Sequence, residues 1–182
     1  SRAWYIVTLL TLAYILSFFD RQILSLLIEP IKRSFELSDT QVGLLLGPAF
    51  AVFYVTLGYP AGILADRKSR KVLIAAGITV WCLMTALCGL AKDFKKLFAA
   101  RVGVGVGEAT LTPAALSLIC DSFPHDRRAR PISVYMMGIS LGSALAYLVG
   151  GQLLEPMLAW PPLHVPVIGV LHSWQLAFVI VG

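Results

Sequence analysis

Charged side chains interrupt two otherwise apolar stretches of this 182-residue sequence. Asp20 and Arg21 lie in the first stretch, and Arg101 and Glu108 lie in a later one. Arg101 and Glu108 are two helical turns apart, so on a helix they share one face. A charge inside a bilayer is costly unless it faces a partner or a polar cavity, which makes each of the four a candidate functional residue. Arginines bind anions and buried carboxylates carry protons, so these residues predict ion binding and proton transfer.

The stretch RVGVGVGEAT at 101–110 resembles a nucleotide-binding loop only superficially. Its spacing is G-x-G-x-G instead of G-x-G-x-x-G, and it lies inside an apolar run, so a dinucleotide site is not expected. Gly103 and Gly107 are four residues apart, as in the small-residue pattern that lets membrane helices pack closely, and Gly105 lies between them. The sequence contains no zinc-ligand spacing, phosphate loop or Ser-His-Asp set. We therefore expect no metal site, no cofactor and no covalent catalysis. The expected coupling ion is a proton carried by a buried carboxylate.

Composition predicts that lipid surrounds this chain. Apolar residues make up 58% and charged residues 14% of the sequence, and the mean hydropathy is +0.80. Soluble domains contain roughly half apolar and a quarter charged residues. Apolar runs predict spans at about 4–27, 42–64, 72–90, 97–119 and 132–154, followed by an irregular connection at 156–173. A last run at 174–182 is too short to cross a bilayer, so we expect the chain to stop inside a sixth span.

The positive charges indicate orientation. The loops on the N-terminal side of the predicted spans hold more Lys and Arg than the loops on the other side, which places the N-terminus in the cytoplasm. The cations lie in short loops without a stacking aromatic face, so nucleic acid is not an expected partner. Cys82, Cys88 and Cys120 form no C-x-x-C pair, and His125, His164 and His172 have no ligand spacing. We expect a multi-pass protein of a bacterial inner membrane or a plasma membrane, in contact with lipids.

Depth along the helices predicts how the charges pair. At about 1.5 Å per residue, Asp20, Arg21 and Arg101 fall at one level near the non-cytoplasmic side, so Asp20 is expected to pair with Arg101. Glu108 falls near the middle of a core about 30 Å thick, without an obvious fixed partner, and is expected to change protonation state as an arginine comes and goes. Four alternatives stay open: a permanent Arg101–Glu108 or Asp20–Arg101 lock, a purely structural scaffold, a channel, and a membrane enzyme using Asp20 and Glu108 as acid and base.

Two motifs resemble those of the major facilitator superfamily. The stretch GILADRKSRK resembles the superfamily's loop G-x-x-x-D-R/K-x-G-R-R/K, with Ser69 in place of the usual glycine. The residues that match this loop are Gly62, Asp66, Arg67, Arg70 and Lys71. Arg101, Gly105, Gly107 and Ala109 fit the pattern R-x-x-x-G-x-G-x-A of its fourth helix. The resemblance implies an all-α membrane protein, the six-helix N-terminal half of a 12-helix fold whose C-terminal half is its partner. It also implies a gate formed by Asp66 and Arg70, with Asp121 as the partner of Arg70.

Within the superfamily, FDRQILSLLIEPIKRSFELSDTQVGLL and GEATLTPAALSLICDSF resemble the spinster-like branch, which is associated with sphingolipids and lysophospholipids. The resemblance implies alternating-access transport of a small amphiphilic or anionic substrate. It implies that Arg21, Arg101 and Glu108 line the cavity and that Glu108 carries the coupling proton. The apolar tail is then expected along four aromatic residues: Phe18, Phe19, Phe50 and Tyr54. Organic-anion symporters of the same superfamily also carry a D-R pair in the first helix and are the alternative.

Overall fold

The computed structural model describes residues 2–67, 69–150, 152, 163–165 and 169–182. Helices make up nearly all of this part of the chain. They are α1 (Arg2–Phe35), α2 (Asp39–Leu46), α3 (Pro48–Arg67), α4 (Arg70–Gly89), α5 (Phe94–Glu108), α6 (Leu111–Ser122), a 3-10 turn (His125–Arg127), α7 (Ala129–Val149) and α8 (Ser173–Val181). Five helical stretches of the described residues are long and apolar enough to cross a membrane: Arg2–Phe35, Asp39–Ala65, Arg70–Gly89, Phe94–Ser122 and Ala129–Val149.

The first helix is longer than its apolar run. The sequence predicts a span at 4–27, whereas α1 continues through Pro30 to Phe35. Its last turns carry exposed charges, including a Glu29–Arg33 ion pair of 3.1 Å across one helical turn. Such pairs support a helix in water, so α1 projects beyond the stretch that hydropathy alone detects.

Two predicted spans are each broken into two helices. The span at 42–64 is divided at Gly47, and the second helix begins with Pro48. Proline has no N–H to give to a preceding turn and suits the first position of a helix, which explains the break. The span at 97–119 is divided at Ala109 and Thr110. Pro113 cannot donate to the carbonyl of Ala109, so the helix is interrupted directly after Glu108.

Glycines allow the helices around Glu108 to pack at backbone distance. A methyl group added to Gly107 would lie 2.6 Å from the backbone nitrogen of Trp81 in α4. One added to Gly103 would lie 2.6 Å from the side chain of Met84, also in α4, and one on Gly105 would lie 2.9 Å from the carbonyl oxygen of Phe50 in α3. Helix α5 is therefore held closely between α4 and α3, while α1 packs mainly on α7.

The segment at 156–173 was predicted to be irregular, and this is wrong for part of it. Strands β1 (Leu163–Val165) and β2 (Gly169–Leu171) form an antiparallel hairpin in which His164 is opposite Val170. Most of the remaining segment lies outside the described residues. Three-residue strands are stabilised by their partner strand and carry no long periodic pattern, so hydrophobic periodicity does not detect them.

Helix α8 docks on the rest of the bundle through polar contacts. The indole N–H of Trp174 donates to Ser34 Oγ at 3.0 Å, and Gln175 Nε2 donates to the carbonyl of Ala91 at 3.0 Å. Trp174 and Phe178 are buried, and α8 packs mainly against α4. The apolar run at 174–182 is thus a packed helix.

Candidate functional site

A buried carboxylate lies directly before the break between α5 and α6. Glu108 is 1% exposed, and its Oε2 atom accepts hydrogen bonds from Ser17 Oγ at 2.5 Å and Arg21 Nε at 2.7 Å. Arg21 Nη2 also lies 2.7 Å from the same oxygen. The other oxygen, Oε1, has no hydrogen-bond partner among the described residues. Three donor atoms thus converge on one carboxylate oxygen and leave the second available.

Aromatic rings surround the guanidinium of Arg21. Its Cζ atom lies 4.6 Å from the ring centre of Phe18, 4.5 Å from that of Phe50 and 4.6 Å from that of Tyr54. Electron-rich ring faces attract a cation at such distances. The side chain of Arg21 is still 20% exposed, whereas that of its partner Glu108 is fully buried. The guanidinium is therefore held in place but remains accessible from one side.

A second charged pair, in which both side chains are almost fully buried, joins α1 to α5. Asp20 Oδ2 lies 3.4 Å from Arg101 Nη1 and accepts a hydrogen bond from Thr85 Oγ1 of α4 at 3.2 Å. The two side chains are 2% and 3% exposed. Asp20 Oδ1 and Arg101 Nε lack a partner among the described residues. Since Asp20 and Arg21 are adjacent on α1, this helix contributes one residue to each pair.

Phe50 connects the two pairs. Its ring centre lies 4.5 Å from the Cζ atom of Arg21 and 5.9 Å from that of Arg101. Phe50 also stacks on Tyr54, with 5.2 Å between the ring centres. Both arginines therefore contact the same aromatic ring, through which the two ion pairs adjoin each other.

The structure joins the four charged residues in two pairs, one of which the sequence suggested. The Asp20–Arg101 contact is present as expected. The expectation that Glu108 lacks a fixed partner is wrong, because Arg21 and Ser17 both bind it. The depth argument compared backbone levels only. A long arginine side chain reaches from its own level on α1 to the deeper level of Glu108.

The predicted gate residues are only partly visible. Arg70, at the start of α4, forms an ion pair with Asp121 near the end of α6. Gly62 lies close to Pro113, since a methyl group added to it would be 3.9 Å from the proline Cβ. Lys71 is exposed. The side chains of Asp66 and Arg67 lie outside the described residues, so the latch expected of Asp66 is neither seen nor contradicted.

Sequence reasoning missed the polar residues that orient the charges. Ser17 lies one helical turn before Arg21, so helical spacing could have placed both on one face. Thr85 and Thr112 belong to other helices, and nothing in the sequence links them to the charged residues. The described residues contain no group of three or more His, Cys, Asp or Glu side chains that could hold a metal ion.

Comparison with known proteins identifies the family. The model of the Major Facilitator Superfamily matches residues 10–182. The chain belongs to this superfamily. The predicted fold class, the N-terminal half of a major facilitator protein, is thereby confirmed, as is the resemblance to the spinster-like branch.

Curated relatives come from bacteria and animals. The chain is 37% identical over 181 residues to an "MFS-type efflux pump" of Mycolicibacterium smegmatis, covering 100% of this chain and 39% of that protein. It is 31% identical over 149 residues to "Protein spinster" of Drosophila melanogaster, covering 82% and 24% respectively. It is also 31% identical over 138 residues to a "Probable L-galactonate transporter" of Escherichia coli, covering 76% and 30%. The chain thus spans well under half the length of these relatives.

A solved structure has the same architecture. It is a bacterial homolog of the human lysosomal transporter spinster in an inward-facing, unoccupied conformation, with a TM-score of 0.86 and 39% sequence identity. The match covers 98% of this chain and 40% of that one. The helical architecture of this superfamily member therefore corresponds to one part of a longer transporter fold.

Proposed function

We propose that this chain is the N-terminal half of a secondary active transporter that moves an amphiphilic, anionic, lipid-like substrate by alternating access. The substrate class is a lysophospholipid or a sphingosine phosphate. The observation that carries the proposal is the Arg21–Glu108 ion pair, in which a partly exposed cation holds a fully buried carboxylate. Transporter halves of this superfamily rock against each other around a site near the midplane.

Arg21 is the proposed binding residue for the anionic head group. Guanidinium groups bind phosphate and carboxylate oxygens through paired hydrogen bonds. The rings of Phe18, Phe50 and Tyr54 hold this guanidinium in position, and their apolar faces offer contact area for the first carbons of a tail. Phe19, which is also expected along the tail, packs against the hydrophobic core, as do Phe18 and Phe50.

Competition for Arg21 couples the substrate to a proton. A substrate anion that takes the guanidinium removes the cation that neutralises Glu108. An uncompensated buried carboxylate is strongly disfavoured, so Glu108 then takes up a proton. The proton is placed at Oε1, the oxygen without a partner among the described residues. When the substrate leaves and Arg21 returns, the proton is released.

The Asp20–Arg101 pair has a different proposed role. Both side chains are almost fully buried, so direct substrate contact in this conformation falls to Arg21. We assign to this pair the task of keeping α1, α4 and α5 in register while the Arg21–Glu108 pair opens and closes. The opposite charges make the pair neutral overall, and the hydrogen bond from Thr85 attaches it to α4.

The ends of the helices provide the gate. The Arg70–Asp121 ion pair joins α4 to α6 on the side that carries the N-terminus, which the excess of loop cations assigns to the cytoplasm. The missing C-terminal half supplies the opposing helices. Transport without chemical change of the substrate distinguishes this proposal from a membrane enzyme that uses Asp20 and Glu108 as acid and base.

Small organic anions are the second candidate substrate. One relative is called a "Probable L-galactonate transporter", and a small carboxylate could occupy Arg21 without any tail. Under this alternative the aromatic residues serve only to hold the guanidinium. The two candidates share the coupling mechanism and differ in whether an apolar tail contributes to binding.

Uptake into proteoliposomes tests the proposal. The full-length protein is assayed with a labelled lysophospholipid and, in parallel, with labelled galactonate, with and without an imposed pH gradient. We expect gradient-driven uptake of intact lysophospholipid in the wild type and its loss in Glu108→Gln. Glu29→Gln, which alters an exposed carboxylate of α1, is the matched control and is expected to transport normally. Normal gradient-driven uptake in Glu108→Gln would refute the coupling role, and uptake of galactonate alone would favour the second candidate.

A further inference from the structure

A cluster of three hydroxyl groups lies beside Arg21 and belongs to neither ion pair. Thr112, in the first turn of α6, is its centre. The hydroxyl of Tyr135 in α7 donates to Thr112 Oγ1 at 3.5 Å, and the hydroxyl of Tyr54 in α3 lies 3.4 Å from the same atom. We refer to Tyr54, Thr112 and Tyr135 as the hydroxyl cluster.

The hydroxyl cluster adjoins the proposed anion site. Tyr54 belongs to both, since its ring centre lies 4.6 Å from Arg21 Cζ. Tyr54 and Thr112 are partly exposed, whereas Tyr135 is fully buried and stacks on Tyr14 with 4.4 Å between the ring centres. Tyr135 thus forms the buried side of the hydroxyl cluster, and the hydroxyls of Tyr54 and Thr112 form its accessible side.

Hydrogen-bond capacity suggests what the hydroxyl cluster can bind. Each of the three hydroxyls has one hydrogen to donate and two lone pairs to accept with. The two contacts within the cluster use two of the three hydrogens. In addition, the Tyr54 hydroxyl accepts a hydrogen bond from Arg21, and the Tyr14 hydroxyl is a further partner of Thr112. One hydroxyl hydrogen and several lone pairs are left over. Since Tyr135 donates to Thr112, the remaining hydrogen belongs to Tyr54 or Thr112. A neutral group that both donates and accepts, such as an alcohol, matches this capacity better than a phosphate, which accepts only when ionised.

We propose that Tyr54, Thr112 and Tyr135 form a specificity subsite that binds a neutral hydroxyl close to the anionic group of the substrate. This inference rests on the proposed transport function and refines its substrate class from anionic amphiphiles to hydroxylated ones. Arg21 takes the charge and the hydroxyl cluster takes the neighbouring alcohol. A site built to hydrogen-bond an alcohol discriminates against an analogue without it, because its polar groups then lack a partner.

Two labelled probes that differ in one group test the subsite. Lysophosphatidate carries a free glycerol hydroxyl, and its deoxy analogue lacks only that hydroxyl. For the full-length protein in proteoliposomes, the ratio of KM values for the two probes measures recognition of the hydroxyl. We expect the wild type to favour lysophosphatidate by about 3- to 10-fold, the range of one or two neutral hydrogen bonds.

Variants of the hydroxyl cluster are expected to remove this preference. In Thr112→Val and Tyr54→Phe, the ratio of the KM values for the two probes is expected to fall to about one. Thr112→Ser keeps a hydroxyl and is expected to keep much of the preference. Thr79→Val is the matched control, because the Thr79 hydroxyl is exposed and bonds to the carbonyl of Ala75 in its own helix.

Each other outcome overturns the inference in a distinguishable way. Unchanged KM values for both probes in Thr112→Val and Tyr54→Phe refute the subsite but leave the transport proposal intact. An equal rise in KM for both probes means that the cluster only supports the fold around Arg21. If the wild type carries neither probe, the lipid-like substrate itself is refuted and the subsite is rejected with it.

Discussion

Substitution of Gly107 by alanine should displace the carboxylate at the centre of the site without changing any charged residue. The added Cβ would lie 2.6 Å from the backbone nitrogen of Trp81, 2.8 Å from the carbonyl oxygen of Gly77 and 2.9 Å from Trp81 Cβ. Ordinary contacts begin at 3.4 Å, so α5 must move away from α4 by up to about 0.8 Å. Two of the three atoms are backbone, so no side-chain rotation relieves the clash.

A shift of this size is large compared with the tolerance of the Arg21–Glu108 pair. Glu108 is the next residue after Gly107, and its hydrogen bond to Arg21 Nε is 2.7 Å long. Lengthening by about 0.8 Å would bring it to about 3.5 Å, the limit at which such a contact still counts as a hydrogen bond. Overpacking of this kind costs about 1–3 kcal/mol. We therefore expect Gly107→Ala to lower both stability and gradient-driven uptake.

The assay compares Gly107→Ala with Gly58→Ala in the full-length protein. A methyl group added to Gly58 in α3 meets no atom within 4 Å, so this control carries the intrinsic effect of a helical Gly→Ala change without a clash. We expect Gly107→Ala to lower the apparent melting temperature in detergent by a few degrees relative to Gly58→Ala, with a clear loss of uptake. Equal melting temperatures and equal uptake in the two variants would refute the argument that backbone contact between α4 and α5 positions Glu108.

Three further predictions concern other ionised groups. Asp20→Asn leaves the buried arginine of its pair without a counter-charge, so we expect a loss of about 3–5 kcal/mol in stability, measured as a lower melting temperature; an unchanged value would mean that the pair is dispensable. Arg70→Asp should impair uptake by breaking the pair with Asp121, and the double variant Arg70→Asp/Asp121→Arg should restore it; failure of the double variant to exceed the single one would contradict the gate. The hydrogen bond from the Lys96 backbone N–H lowers the pKa of Asp93, which caps α5 outside the membrane. Asp93 therefore stabilises the folded protein above its unfolded-state pKa, and this contribution is lost as pH falls through the lower folded-state pKa. The difference in melting temperature between wild type and Asp93→Ala should then shrink with acidification. A pH-independent difference would refute the stabilising role of the Asp93 carboxylate.

Much of the fold could be predicted because it depends on local and compositional signals. Long apolar runs identify membrane helices whatever their neighbours are, since each helix satisfies its own backbone hydrogen bonds. The stretches around Gly62–Lys71 and Arg101–Ala109 then indicated the family. The breaks at Gly47 and after Glu108 were missed, although Pro48 and Pro113 are their local causes. A hydropathy profile counts apolar residues and does not detect that proline lacks a backbone N–H donor.

The sequence by itself determined that this chain is a membrane bundle, that it belongs to a transporter superfamily, and that four charged residues in apolar helices are its candidate functional residues. These conclusions follow from residue type and spacing along the chain. The tertiary structure decided the partners: Arg21 rather than Arg101 holds Glu108, Phe50 contacts both arginines, and Thr112 connects two tyrosines. Helical spacing fixes which residues share a face of one helix, but the facing of different helices depends on close contacts such as those at Gly107. Because an arginine side chain is long, it can reach more than one carboxylate, and backbone positions alone do not show which carboxylate it binds.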